Sequence, residues 1–292
     1  MFINATSWGH FNLYSIETGR FRLDGGAMFG VVPKTLWSKR VPADDNNRIP
    51  MVMRCLLVES TVTGRRYLID TGTGPKFDAK MRGIYEYDDF EFSMDASLSA
   101  HGFTTDDITD IIFTHLHFDH CGGASEWDAD GTTSIPRFKN ATYWVNRRHW
   151  ETATNPNARE KASFLRENLA PLNDPDKLKL VEDAHEWEPG LSTFNMDGHT
   201  QGMQLPYIDS DRGRLVYCAD LIPMAAHVPL PWVMAYDMNP TQTLLEKQEF
   251  LDQAVAGGWF LFIEHDEFHQ VVTVKGENGR YDLDRDLRLD QI

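Results

Sequence analysis

Residues 111–123 read Ile-Ile-Phe-Thr-His-Leu-His-Phe-Asp-His-Cys-Gly-Gly. The run begins apolar and β-favouring and ends in two glycines, which predicts a strand followed by a turn. Between these parts lie four residues whose side chains can bind metal: His115, His117, Asp119 and His120. The whole chain of 292 residues has 11 histidines, so three within this short segment are a strong local enrichment. We therefore predict a metal site on the loop that follows the strand.

The spacing within this motif predicts how its side chains are presented. His115 and His117 are two residues apart, so in an extended segment both side chains point to the same side. Asp119 and His120 follow after the chain turns and are expected to reach a second, nearby position. A single histidine is more often a core residue and a single aspartate is more often solvated, but the density of this motif favours ligands. One loop is thus predicted to supply two metal ions.

Composition excludes several classes of partner. With 41% hydrophobic and 25% charged residues, the chain is typical of a globular protein. Its 28 basic and 44 acidic residues give a net charge of −16, which repels the phosphates of nucleic acids. No apolar run is long enough to span a membrane, and the N-terminal stretch lacks the features of a secretion signal. We expect neither a nucleic-acid nor a membrane partner.

The cysteines indicate a cellular compartment. There are three, Cys55, Cys121 and Cys218, and no two of them have the C-x-x-C spacing. An odd count without that spacing argues against a disulfide framework and against a zinc ribbon. We expect each cysteine to be a buried small hydrophobe and the protein to be cytoplasmic.

Further residues of the metal-binding type come at or just after the ends of predicted strands. They are Asp70, His199, Asp220 and His265. Side chains on strand-end loops meet at one edge of a rigid scaffold, as a metal-dependent enzyme requires. Asp70 is followed by Gly/Thr turns, and we expect it to orient a ligand histidine through a hydrogen bond. An aspartate that only caps its own turn is the alternative.

Two apolar segments rich in Gly or Pro, residues 27–33 and 221–240, are candidates for the wall of a substrate cleft. Core packing is the alternative for each side chain. The candidate pocket residues are Met28, Phe29, Met224, His227, Trp232 and Met234. Residues 147–153 and 158–169 are predicted to be helical, with Pro156 between them, in an insertion over about 147–175 that forms either a lid or a plain structural insertion. A longer helix is predicted over 241–257.

The ordered motifs resemble those of the metallo-β-lactamase superfamily over nearly the whole chain. The family's H-x-H-x-D-H signature matches residues 115–120, and its other motifs match Asp70-Thr-Gly72, His199, Asp220 and His265. The resemblance implies an α/β fold, the αβ/βα four-layer sandwich, with the metal site at the sandwich edge. It also implies a single domain over residues 1–292 with two pseudo-related halves, roughly 1–185 and 186–292.

The same resemblance implies two divalent metal ions and a catalytic role for two carboxylates. The first ion would be bound by His115, His117 and His199, the second by Asp119, His120 and His265, and both by Asp220. Zinc is favoured for such a donor set, and iron, manganese and cobalt also suit it. A hydroxide bridging the metals would attack the substrate, and Asp119 would also move a proton.

Within the superfamily the sequence is most similar to the branch of quorum-quenching lactonases and methyl-parathion-hydrolase-like enzymes. Those lactonases carry a Tyr three residues after the bridging aspartate, where this chain has Pro223. His227, Tyr236 or a metal alone would have to replace that Tyr. The resemblance implies a dinuclear metal-dependent hydrolase of a small-molecule ester, lactone or phosphotriester, and a homodimer is compatible with it.

Two other functions are considered. A mononuclear iron oxygenase, similar to the persulfide dioxygenases of this fold, would use the first metal site only, and the complete set of second-site residues argues against it. A purely structural metal site would be closed and four-coordinate, which the seven candidate ligands do not favour.

Overall fold

The computed structural model describes residues 5–292, and these divide into two compact units. Unit 1 contains residues 5–20 and 53–185, and unit 2 contains residues 21–52 and 186–292. The N-terminal stretch predicted to lack a secretion signal begins with residues 1–4, which lie outside the described range. No helix in the described part is long and apolar enough to cross a membrane.

The first sheet has seven strands in the order β1-β2-β3-β4-β5-β8-β9. Its strands are β1 (Thr6–Trp8), β2 (Phe11–Asp24), β3 (Arg48–Ser60), β4 (Arg66–Ile69), β5 (Asp110–Ile112), β8 (Thr142–Asn146) and β9 (Leu178–Val181). Strands β4, β5, β8 and β9 are parallel to one another, so their carboxyl ends lie at the same edge. The boundary between the units falls within two strands: β2 begins in unit 1 and ends in unit 2, and β3 begins in unit 2 and ends in unit 1.

The described part of unit 1 has five α-helices. They are α3 (Ala79–Tyr85), α4 (Met94–Ala100), α5 (Phe118–Cys121), α6 (Arg147–Thr154) and α7 (Arg166–Leu169). Four of them, α4 to α7, contribute side chains to the core that lies on this sheet. Leu98 of α4 and Ala153 of α6 belong to the same buried cluster as Ile111 and Tyr143 of the strands. Because β5 is covered in this way, the loop that follows it starts from a rigid support.

The second sheet also has seven strands, in the order β10 to β16. They are β10 (Glu186–Glu188), β11 (Leu191–Met196), β12 (Met203–Ser210), β13 (Gly213–Tyr217), β14 (Phe260–Phe262), β15 (Val271–Glu277) and β16 (Arg280–Leu287). Only β13 and β14 pair in parallel, because the helix α8 (Pro240–Gly257) connects them. Two short helices, α1 (Gly25–Phe29) and α2 (Lys34–Trp37), complete unit 2.

The long helix predicted over 241–257 is confirmed, and its ends follow from local chemistry. The Asn239 side chain accepts a hydrogen bond from the N–H of Gln242, and Pro240 occupies the first turn. Gly258 ends the helix in the left-handed conformation that glycine adopts easily.

Other local predictions need correction. The apolar loop predicted over 27–33 begins instead within helix α1, because the Asp24 carboxylate accepts a hydrogen bond from Ala27 N–H and starts the helix. The polar sequence of residues 124–140 favours a loop, but the segment contains two short strands, because β6 (Ser125–Trp127) pairs with β7 (Ser134–Pro136). The polar sequence after the predicted turn over 276–279 favours an unstructured tail, but it forms the edge strand β16, whose charged side chains suit an exposed edge.

The second helix predicted in the insertion, over 158–169, is also interrupted. It consists of a 3-10 turn at Lys161–Ser163 and the short helix α7. The Asn157 side chain accepts hydrogen bonds from the N–H groups of Arg159 and Glu160. A turn held by a side chain in this way competes with continuous helix.

The loop after β4 lies in backbone contact with the turn after the histidine motif. Thr71 N–H donates to the His120 carbonyl at 2.7 Å, and Gly123 N–H donates to the Gly72 carbonyl at 2.7 Å. A Cβ atom at Gly123 would lie 2.1 Å from the Thr71 carbonyl oxygen, far inside van der Waals contact. The absence of a side chain is what allows the two loops to touch.

We expect Gly123→Ala to lower the free energy of unfolding by about 1–3 kcal/mol, because the added methyl overpacks the backbone. The matched control is Gly83→Ala in helix α3, where a Cβ meets nothing within 4 Å; there alanine should stabilise slightly. Urea denaturation of both variants checks the contrast, and equal effects would contradict the close contact.

Candidate metal centre

The carboxyl end of β5 brings three imidazoles of unit 1 together. His115 and His117 lie in the segment after the strand, and His120 lies on helix α5. The ring centroid of His115 is 4.5 Å from that of His117 and 3.9 Å from that of His120. All three rings are buried, as is Asp119, whose Oδ2 lies 3.9 Å from His120 Nε2. The segment therefore concentrates nitrogen and oxygen donors in one buried place.

Asp70, at the end of β4, holds two of these rings. Its Oδ2 lies 3.0 Å from His120 Nδ1, and its carboxylate also accepts hydrogen bonds from the Thr114 backbone N–H and hydroxyl, at 2.8 and 2.6 Å. Because the Thr114 hydroxyl donates to Asp70, its oxygen accepts from His115 Nδ1 at 3.0 Å. The Nδ1 atoms of both rings carry hydrogen, so both Nε2 atoms present lone pairs.

His117 is held through its other ring nitrogen, Nε2, by a residue that was not predicted from the sequence. The Nε2 atom of His117 lies 3.3 Å from Oε1 of Glu160, which is buried, and Asn157 donates to the other oxygen of Glu160 at 3.2 Å. The lone pair of His117 is therefore on Nδ1. A second missed residue, His149, accepts a hydrogen bond from Leu116 N–H at 2.7 Å. Both missed residues belong to the insertion, where no sequence pattern connects them with the motif.

Unit 2 contributes a carboxylate between two imidazoles. His199 follows β11, Asp220 lies in a 3-10 turn after β13, and His265 follows β14. The Nε2 of His199 is 3.1 Å from Oδ2 of Asp220, and the Nε2 of His265 is 3.4 Å from Oδ1. Each ring thus faces a different oxygen of the same carboxylate, an arrangement suited to a carboxylate that bridges two cations.

The outer nitrogens of these two rings are also fixed. His199 Nδ1 donates to Asp237 at 3.0 Å, and His265 Nδ1 donates to the Val52 carbonyl at 2.9 Å. Sequence reasoning missed Asp237, which lies in the long connection after β13. Burial lowers the pKa of His199, but the charges and hydrogen bonds of Asp220 and Asp237 raise it to about 10. The two carboxylates around His199 therefore stabilise positive charge at this ring.

The donor set fits divalent metal ions. In four rings, those of His115, His120, His199 and His265, Nδ1 is committed as a hydrogen-bond donor, which leaves Nε2 as the atom suited to bind a metal. Hydrogen bonding of the outer nitrogen is how proteins orient metal-binding histidines. Described candidates for holding a metal include all seven residues named from the sequence, namely His115, His117, Asp119 and His120 in unit 1, and His199, Asp220 and His265 in unit 2.

The candidate pocket residues all lie in unit 2, and most are buried. Trp232 is partly exposed, and the other five are buried. Phe29 stacks on His227 with ring centroids 4.6 Å apart and planes 4° apart, and on Trp37 at 5.2 Å. His227 Nε2 donates to the Met28 carbonyl at 2.8 Å. These contacts describe a packed aromatic layer, so a substrate-facing role for it stays a prediction.

A buried lysine holds the connection that carries Trp232. Lys247 of α8 donates from Nζ to the carbonyls of Pro229, Leu230 and Trp232 at 3.0, 3.4 and 2.8 Å. The Pro223 carbonyl accepts a hydrogen bond from His265 N–H at 3.0 Å. Tyr236 is 40% exposed. The connection is therefore held by backbone contacts at several points.

Burial lowers the pKa of His227 to about 4. An unfolded histidine binds its proton near pH 6.5, so between pH 6.5 and 4 the unfolded chain binds more protons at this residue. Stability must then fall as the pH is lowered through this window, by an amount of the order of 3 kcal/mol. We expect His227→Phe to lose this part of the pH dependence, which denaturation of metal-free protein at a series of pH values measures. Parallel curves for wild type and variant would contradict it.

Comparison with known proteins identifies the family. The model of the metallo-beta-lactamase superfamily matches residues 54–265. An N-acyl homoserine lactonase of Bacillus thuringiensis is 30% identical over 112 residues, which are 38% of this chain. The chain thus matches 37% of the length of that curated relative.

Solved structures agree over nearly the full chain. A probable metal-dependent hydrolase from Staphylococcus aureus is 30% identical, with a TM-score of 0.85, over 97% of this chain and 100% of that one. AidC, a dizinc quorum-quenching lactonase in complex with a product, shares the fold at 23% identity, with a TM-score of 0.77 and 98% of both chains covered. The chain therefore belongs to the metallo-β-lactamase superfamily and has its fold, with similarity to the lactonase-like metal-dependent hydrolases within it.

Proposed function

We propose that this protein is a dinuclear metal-dependent hydrolase of a small ester, lactone or phosphotriester. The observation that carries the proposal is the common orientation of four histidines, whose Nδ1 atoms are all engaged. Buried rings prepared in this way, beside a carboxylate that faces two of them, suit a pair of divalent ions. The superfamily match and the similarity to a metal-dependent hydrolase support the same conclusion.

We propose further that the two units act as one domain and complete two adjacent metal sites. The first would be formed by His115, His117 and His199, the second by Asp119, His120 and His265, with Asp220 shared. Zinc is the favoured metal because imidazole and carboxylate ligands suit it, although iron, manganese and cobalt use the same ligands. AidC, which shares the fold, is a dizinc lactonase.

Bound divalent ions would supply Lewis-acid polarisation of the scissile group and a water of lowered pKa. The chain itself contributes orientation and proton transfer. Asp220 fixes the spacing between the two histidines of unit 2, and Asp119, held beside His120, is the candidate for accepting the proton of the attacking water. Asp70, Glu160 and Asp237 hold the ligand rings and keep their lone pairs directed inward.

The substrate is proposed to be small and not strongly anionic. The protein's net charge of −16 disfavours polyanions, and the predicted pocket residues of unit 2 are apolar apart from His227. Lactones are among the proposed substrates because the matched relatives are N-acyl homoserine lactonases. Esters and phosphotriesters are proposed as well, because this chain has Pro223 where the resemblance to the lactonases leads us to expect Tyr. All three cysteines are buried and none forms a disulfide, which supports the proposed cytoplasmic location. Assembly into a homodimer is also compatible with the proposal.

The first test is the metal content of protein purified without added metal or chelator, followed by turnover on a panel of aryl esters, lactones and phosphotriesters. We expect about two equivalents of zinc, manganese or cobalt per chain and metal-dependent turnover on at least one class. About one equivalent of iron, together with thiol-dependent oxygen uptake, would instead support the mononuclear iron oxygenase and contradict the hydrolase proposal. Metal-loaded protein inactive on the whole panel would refute the proposed hydrolase.

A second test addresses the unpredicted carboxylate. Asp237→Asn removes the anion that holds His199 Nδ1, and we expect zinc affinity to fall by about 10–100-fold. Competition with a chromophoric chelator measures it. The matched control is Asp211→Asn, the same substitution at an exposed residue between β12 and β13, which should leave the affinity unchanged. Equal affinities for both variants would show that Asp237 does not support the site.

A further inference from the structure

The helical insertion of unit 1 forms a cleft of 340 Å³ that has no part in the metal centre described above. Its volume is at the lower end of the range of about 300–1,000 Å³ for small-molecule sites. Its principal apolar walls are Trp150, Pro156, Phe164 and Leu169, and its cationic side chains are Lys161 and Arg166. The cleft is therefore both apolar and basic.

The two cations are unusual in their surroundings. Acidic residues outnumber basic ones by 44 to 28 in this chain, and the cleft is lined by no acidic residue. Within residues 5–292, neither Lys161 nor Arg166 forms an ion pair, and both are exposed. Two positive charges that form no ion pair, beside apolar side chains, favour an anion that carries an apolar body.

We propose that this cleft binds amphiphilic carboxylates, such as medium-chain fatty acids. A guanidinium pairs with a carboxylate through two parallel hydrogen bonds, and the ammonium of Lys161 adds a point charge. Trp150, Phe164 and Leu169 would cover the hydrocarbon chain, and each methylene buried there strengthens binding through the hydrophobic effect. A carboxylate without a hydrocarbon chain, or a chain without a charge, would use only half of the site.

The cleft also adjoins the support of a metal-binding histidine. The ring of Phe164 lies 5.0 Å from the ring of His117 and 5.7 Å from that of His149. Glu160, which holds His117, precedes the cleft residue Lys161 directly. A ligand in the cleft would therefore contact the outer side of a wall whose inner side positions His117.

The probe is octanoate, with acetate and octanol as matched partial ligands, and binding is measured by isothermal titration calorimetry on the intact protein. We expect saturable binding of octanoate, with acetate and octanol each at least about tenfold weaker. The variant Lys161→Gln/Arg166→Gln should weaken octanoate binding by about tenfold or more. The control Lys139→Gln/Lys179→Gln removes the same charge from exposed positions of unit 1 outside the cleft and should bind as wild type does.

Ala170→Trp provides a second variant, because Ala170 lines the cleft and is exposed, so a larger side chain can fill the space without entering the core. It should also weaken octanoate binding. Octanoate binding that both cleft variants leave unchanged, or no binding by wild type, would overturn the proposal. Since no turnover is measured, failure of the hydrolase proposal leaves this result unaffected, and the reverse also holds.

Discussion

The structure depends on hydrogen bonds to the outer nitrogens of buried histidines. An imidazole can turn about its side-chain bonds and can carry its hydrogen on either nitrogen, so a ring without a second partner is a poorly directed ligand. Here Asp70, Asp237 and the Val52 carbonyl accept only, which fixes the hydrogen on Nδ1 of His120, His199 and His265. The sheets contribute by holding these acceptors in fixed positions near strand ends. The stability of the fold therefore also keeps the histidine rings in a fixed orientation.

Much of this arrangement was predictable from the sequence because the candidate ligands follow strands. Because β4, β5 and β8 are parallel neighbours, their carboxyl ends lie at one edge of the sheet, and this brings Asp70 and the histidine motif together. Hence the family, the fold and the hydrogen bond of Asp70 to a histidine of the motif could all be anticipated. Helix α8 was equally predictable, because its Asn-Pro start and Gly end are local signals.

Glu160, His149 and Asp237 were not predictable, and the reason is the same for all three. They reach their partners across 43, 33 and 38 residues of sequence, from an interrupted helical segment and from an irregular connection. No periodic pattern fixes where such segments return in space. The short helix α1 and the edge strand β16 were missed for a different reason, since one depends on a single capping side chain and the other has charged residues that resemble a tail.

The hydrogen bond between Glu160 and His117 has a consequence for how this protein can evolve. Loops and insertions are normally the parts of a fold that accept changes of length most easily. Here one such insertion supplies the residue that directs a ring of the histidine motif, so deleting or exchanging it would change the inner site as well as the surface. We expect lineages that remodel this insertion to acquire, at the same time, another acceptor for His117.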